Sequence, residues 1–296
     1  MSFSLNEAKW LQKYIANVHT MHKLEQLALV GMNDSEILFW FLHGLPNLKI
    51  LTLTFCHLER IWGSESLISR EKIGVVMQLE ELSLNSMWAL KEIGFEHDML
   101  LQRVEYLIIQ NCTKLRNLAS SSVSFSYLIY LKVVKCMMRN LMTTSTAKTL
   151  VQLKRMKISS CPMIVEIVAE NADEKVEEIE FKVLESLELV SLQNLKCFSN
   201  VEKCDLKFPL LKKLVVSECP KMTKLSKVQS APNLEKVHVV AQEKHMWYWE
   251  GDLNATLQKR FTDQVCIKIF SFLISFKWFA IDNYIIMRNN ITMINL

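Results

Sequence analysis

Apolar positions recur along this chain in a unit that neither common period describes. In Leu211–Leu225, LKKLVVSECPKMTKL, the apolar marks are Leu211, Leu214, Val216, Cys219, Met222 and Leu225, stepping by 3, 2, 3, 3 and 3 residues. A strand alternates at two, and an amphipathic helix returns at three, four and seven. The stretch therefore predicts a short strand with two buried side chains, then a turn that folds the chain back over them. Equivalent stretches begin at Leu24, Leu48, Leu79, Val104, Leu128, Leu153, Leu184 and Leu234. With Leu211 in its place, the nine starts are separated by 24, 31, 25, 24, 25, 31, 27 and 23 residues.

The unit matches the leucine-rich-repeat pattern, L-x-x-L-x-L-x-x-N/C-x-L. One such unit cannot bury its own leucines, so neighbouring units must cover them. The expected fold is an α/β leucine-rich-repeat solenoid. It is a curved horseshoe with a parallel concave sheet and an irregular or short helical convex side. Residues 1–23 read as an irregular lead-in or partial repeat, 24–240 as a solenoid of about nine repeats, 241–265 as a capping segment and 266–296 as an apolar tail, a non-native extension outside the repeat register. In the capping segment Trp247, Tyr248 and Trp249 close the core, and Asp252 or Asn254 opens a short helix. Asn33-Asp34-Ser35-Glu36 also reads as a helix start. Pro46, Pro209 and Pro232 stand at repeat starts, where a missing donor suits a strand entrance. The acidic run Val168–Glu180 reads as a solvated convex loop.

Composition narrows the picture. Half the residues are apolar, with only 6 Gly and 5 Pro, which argues against a disordered chain. The formal net charge of +4 is too small to demand a nucleic-acid partner. Cys56, Cys112, Cys136, Cys161 and Cys219 share one repeat position, so they read as small core residues. No CxxC pair supports a metal site. Cys197 and Cys204 are expected to be reduced. The N-terminus lacks the pattern of a signal peptide, so a cytoplasmic or nuclear compartment is expected. The run CIKIFSFLISFKWFAI is shorter than a spanning helix needs, and no membrane association is expected. Phosphate-binding and nucleophile motifs are absent. His19 and His22 have no third ligand and read as surface residues. No cofactor, metal or enzyme activity is expected.

The repeats resemble the C-terminal leucine-rich-repeat domain of plant intracellular nucleotide-binding leucine-rich-repeat disease-resistance proteins. Three features carry the resemblance. They are the cysteine-proline units KISSCPMIVEI and VVSECPKMTKL, the phrases GLPNLKIL, FPLLKKL and APNLEKV, and the ending WYWEGDLNATLQKRF. The resemblance implies a protein-binding module of innate immunity, a fragment lacking the nucleotide-binding switch. Its implied partner is a pathogen effector, a guarded host protein or the missing nucleotide-binding module. A substrate-recruiting repeat protein of the ubiquitin system and a non-functional truncated gene product are the alternatives.

Side chains between the buried leucines point into the arc. They nominate Tyr106, Ile108, Tyr130, Lys132, Arg155, Lys157, Lys213, Lys236 and His238 as the protein-binding face. With Glu188 as the one negative charge of the C-terminal half, this reads as a basic, partly aromatic surface for an acidic partner.

Overall fold

The computed structural model describes residues 23–259 except 36, 39–41, 43, 62–78, 94–102, 119–122, 171–177, 202–203, 227, 235–236, 242–243, 249 and 251; the side chains of 228–229, 238–241 and 244–248 are not described. The lead-in, its histidines, the tail and most of the acidic run therefore lie outside the described residues.

Each repeat contributes one strand to a continuous concave sheet. These strands are β1 (Gln26–Val30), β2 (Ile50–Thr54), β3 (Glu81–Asn85), β4 (Tyr106–Gln110) and β5 (Tyr130–Val134). After β6 (Asn140–Thr143), α1 (Thr144–Thr149) and β7 (Arg155–Ser159) come β8 (Glu166–Ala169), β9 (Glu178–Glu180) and β10 (Ser186–Val190). Then follow β11 (Cys197–Ser199), β12 (Asp205–Lys207), β13 (Lys213–Ser217), β14 (Val228–Ser230), β15 (Val237–Ala241) and β16 (Lys244–Tyr248). The concave sheet runs β1-β2-β3-β4-β5-β7-β10-β13-β15-β16. Its first nine strands pair in parallel, and β16 closes the series antiparallel to β15.

Burial follows the alternation. Positions two and four of β2, β3, β4, β5, β7 and β10 are buried, and positions one, three and five are not. Leu27, at the beginning of the described chain, is only partly buried. Leu51, Leu82, Leu107, Leu131, Met156, Leu187 and Leu214 stack in register through the solenoid, each essentially inaccessible.

The residue after each strand ends it. Gly31, Phe55, Ser86, Asn111, Lys135, Ser160, Ser191 and Glu218 all have left-handed φ, between 51° and 74°. Glycine adopts this region freely, while a residue with a Cβ meets steric resistance there. The ladder is held by hydrogen bonds to the next repeat. Phe55 N–H donates to Asn85 O at 3.0 Å, Asn111 N–H to Val134 O at 2.8 Å and Lys135 N–H to Ser159 O at 3.0 Å. The next position carries the cysteines, all free and buried. Cys112 Sγ donates to Gln110 O at 3.4 Å, and Cys219 Sγ to Ser217 O at 3.2 Å.

All five prolines occupy turns rather than strand entrances. Pro46, Pro209 and Pro232 stand second in turns closed by Leu48 N–H to Leu45 O, Leu211 N–H to Phe208 O and Leu234 N–H to Ala231 O. Pro162 and Pro220 stand second in the turns Cys161–Ile164 and Cys219–Met222. Proline favours this place because its fixed φ suits the first central residue of a turn.

The convex side holds more strand than the sequence suggests. Two small parallel sheets, β11-β8-β6 and β14-β12-β9, run along it beside the short helix α1. The ends of the acidic run, Glu166–Ala169 and Glu178–Glu180, belong to these sheets, and Ile179 is fully buried. Beneath them Phe181, Phe198 and Phe208 form one aromatic cluster, with ring centroids 5.3–5.6 Å apart. Among the described residues near the first repeat, Ser35, Ile37, Leu38 and Leu42 are helical, and Asp34 Oδ1 caps the turn by accepting from Ile37 N–H at 3.0 Å. At the other end, residues 253–259 form α2. Asp252 Oδ1 caps it by accepting from Ala255 N–H at 2.9 Å, and Leu253 and Leu257 are buried against the solenoid.

Candidate functional site

The concave face is a grid whose rows are fixed by strand register. One row carries Gln26, Ile50, Glu81, Tyr106, Tyr130, Arg155, Ser186 and Lys213, the first residues of their strands. Two residues further on, a second row carries Ala28, Thr52, Ser83, Ile108, Lys132, Lys157, Glu188, Val215 and His238. Parallel strands bring adjacent members of a row within about 4.7–4.9 Å at the backbone. Seven of the nine nominated residues thus share one surface: Tyr106, Ile108, Tyr130, Lys132, Arg155, Lys157 and Lys213. His238 occupies its place in β15, while its side chain is not described. Lys236 lies outside the described residues.

Register produces an aromatic step followed by a charged one. The Tyr106 and Tyr130 rings, adjacent in their row, have centroids 6.5 Å apart. Tyr106 is 40% exposed. Arg155 is the next residue in that row, and Lys132 stands beside Ile108 in the other. A shallow groove of about 650 Å³ runs over this region. It is lined by Tyr106, Ile108, Ile129, Tyr130, Lys154, Arg155, Met156, Lys157, Ser186 and Glu188. Lys154 and Ile129 precede their strands by one residue. They escaped the sequence reading because only positions between leucines were counted.

The basic half is less uniform than its composition. Glu188 bridges two lysines, with Lys157 Nζ at 3.1 Å and Lys213 Nζ at 2.6 Å. Burial pushes the Glu188 carboxyl up, but hydrogen bonds and charge from Lys213 and Lys157 overcome it and leave the group below its ordinary range. Lys132 and Arg155 make no ion pair among the described residues. The unneutralised positive charge therefore collects beside the tyrosine pair. The arrangement offers a broad surface for a macromolecule, with apolar area at Tyr106, Ile108 and Tyr130 and two cations next to it.

Buried cysteines form a separate line behind the sheet. Cys136 N–H donates to Cys161 Sγ at 3.3 Å across the repeat boundary. The neighbouring Cys112 thiol, with burial, pushes Cys136 up to about 12. The Cys136 thiol and burial likewise push Cys161 up. Among the described residues, no group of three His, Cys, Asp or Glu could hold a metal ion, and no helix is long and apolar enough to cross a membrane.

Stacked parallel strands, a left-handed ladder after each strand and a buried cysteine at a fixed place define a leucine-rich-repeat solenoid. A solved structure shares this fold. The leucine-rich repeat domain of the type III effector XopL superposes with a TM-score of 0.50 at 16% identity, covering 79% of this chain and 86% of that one. Residues 119–242 match the family described as plant disease resistance protein RPS2-like, leucine-rich repeats. Over that stretch the chain is similar to the leucine-rich repeats of plant disease-resistance proteins.

Proposed function

We propose that this protein recognises pathogen effectors or host proteins in plant innate immunity, acting in the cytoplasm or nucleus. The same face would suit a nucleotide-binding switch module as a second partner. The reading is supported most directly by the concave groove of repeats four to seven, where the exposed Tyr106 edge and the cations Lys132 and Arg155 adjoin. Broad concave faces of solenoids suit macromolecules, which cover several repeats at once. The partner surface would be acidic, with an apolar residue seated against the tyrosines. Charge pairs at such a surface mainly raise the association rate, and salt screens them.

The test uses a partner isolated by two-hybrid screening of effector and host libraries with the full chain. Lys132→Glu with Arg155→Glu should weaken binding by at least about tenfold, as for lost charge-assisted contacts, and added salt should weaken the parent complex. Lys157 is left intact because it already serves Glu188. Equal binding by the double mutant at low salt, with unchanged circular dichroism, would exclude this face.

A further inference from the structure

A second cavity, of about 480 Å³, opens on the side of the solenoid away from the concave groove. It lies where the turns after the concave strands pass into the small sheet β11-β8-β6. Its floor is Cys197, in register with Glu166 on β8. Lys196, Lys221 and Lys224 surround it, with Thr223 and Asn200 as uncharged hydrogen-bonding groups. The three lysines line the cavity together with one carboxylate, Glu166, and none of the four makes an ion pair among the described residues. On the same flank of the second and third repeats, Lys91 pairs with Glu59 at 2.7 Å and Arg60 with Glu92 at 3.4 Å.

One lysine is held in place. Lys221 Nζ donates to Asn194 Oδ1 at 2.6 Å, and Asn194 Nδ2 donates to Pro162 O at 2.8 Å. The other two reach the floor electrostatically. Burial and the Glu166 carboxylate push the Cys197 thiol up, while the Lys224 and Lys196 charges pull it the other way. Burial pushes the Glu166 carboxyl up as well, and Glu170 adds to this, against the Asn200 backbone hydrogen bond and the Arg139 charge.

We propose that this cavity binds the phosphoryl group of a small phosphomonoester. Two negative charges match the excess of three lysines over one carboxylate, Lys196 and Lys224 supply charge-assisted donors, and Thr223 and Asn200 supply neutral hydrogen-bonding partners. The volume exceeds a bare phosphate and lies within the range of small-molecule sites. The Val165 side and the lysine stems receive the rest of the molecule. The site is separate from the protein-binding face, so it does not depend on that reading.

Isothermal titration of the full chain with glucose 6-phosphate, inorganic phosphate and glucose tests the site. Saturable binding is expected for the two phosphates and none for glucose. Lys196→Ala and Lys224→Ala should each weaken glucose 6-phosphate binding at least about tenfold. Glu166→Gln should tighten it by removing the opposing charge, and Lys132→Ala on the concave face should leave it unchanged. Absence of saturable binding, indifference to both cavity variants, or an equal loss with Lys132→Ala would overturn the proposal. Circular dichroism of each variant separates lost binding from lost folding.

Discussion

Leu107 illustrates how a single residue is committed twice. It lies in register with Leu82 on one side and Leu131 on the other, fully inaccessible between them. Truncating it opens a gap that two neighbouring repeats line. Leu107→Ala should therefore cost about 2–5 kcal/mol, through lost transfer energy and the residual cavity. An unchanged urea midpoint would refute the placement. Cysteine at the position after the left-handed residue is as strongly enclosed. The thiolate is the reactive form; a neighbouring thiol and burial hold Cys136 and Cys161 protonated, whereas the Cys136 hydrogen bond pulls the Cys112 thiol down, so its protection rests on enclosure. Native protein should label slowly with iodoacetamide at Cys112, Cys136 and Cys161, and rapidly in denaturant; mass spectrometry of the alkylated peptides reads the difference.

At the scale of the element, the strand ends where the backbone turns left-handed. Lys135 takes φ 54° with its N–H bonded to Ser159 O. Asparagine tolerates this region and a β-branched residue resists it. Lys135→Asn should thus be neutral or slightly stabilising. Lys135→Val should cost about 1–3 kcal/mol, the usual scale of backbone strain, as a lowered urea midpoint. The Glu188 bridge sits across three strands. Because its folded pKa is depressed, its stabilisation is present above the unfolded value of roughly 4.3 and is lost as pH falls through the lower folded value. Glu188→Gln should flatten the stability profile in that acidic window, seen in urea melts at stepped pH. It should also leave Lys157 and Lys213 free to strengthen attraction for an acidic partner.

Across the whole molecule, each repeat touches only its neighbours, so damage should stay local. The C-terminal closure offers a test. Asn254 Oδ1 accepts from Leu225 N–H at 3.0 Å, and its Nδ2 donates to Ser226 O at 3.0 Å. Asn254→Ala removes both partners from a part-buried backbone, at about 1–3 kcal/mol. Hydrogen exchange should accelerate over Lys213–Ser226 and remain unchanged in β2–β5. Uniform acceleration along the chain would mean the solenoid unfolds as one unit.

The spacing of Leu, Val, Met and Cys determined the strand positions and the buried set, because period two followed by a return turn leaves one face to bury. It also placed Tyr106, Tyr130, Lys132, Arg155 and Lys157 on one surface, since alternation decides the side. The helix starts were legible as Asp34 or Ser35 and as Asp252 or Asn254, since short polar side chains reach their own helix; the structure assigned the caps to the two aspartates. Tertiary structure decided what depended on neighbours from other repeats. The prolines' turn role needed carbonyl partners, and the convex strands needed the rungs of adjacent repeats. Glu188 could be counted as one charge in the sequence, but its neutralising of two lysines followed from register across β7, β10 and β13. The lateral cavity has the same origin. Val165, Lys196 and Thr223 are dispersed along the chain, and only stacking brings them side by side.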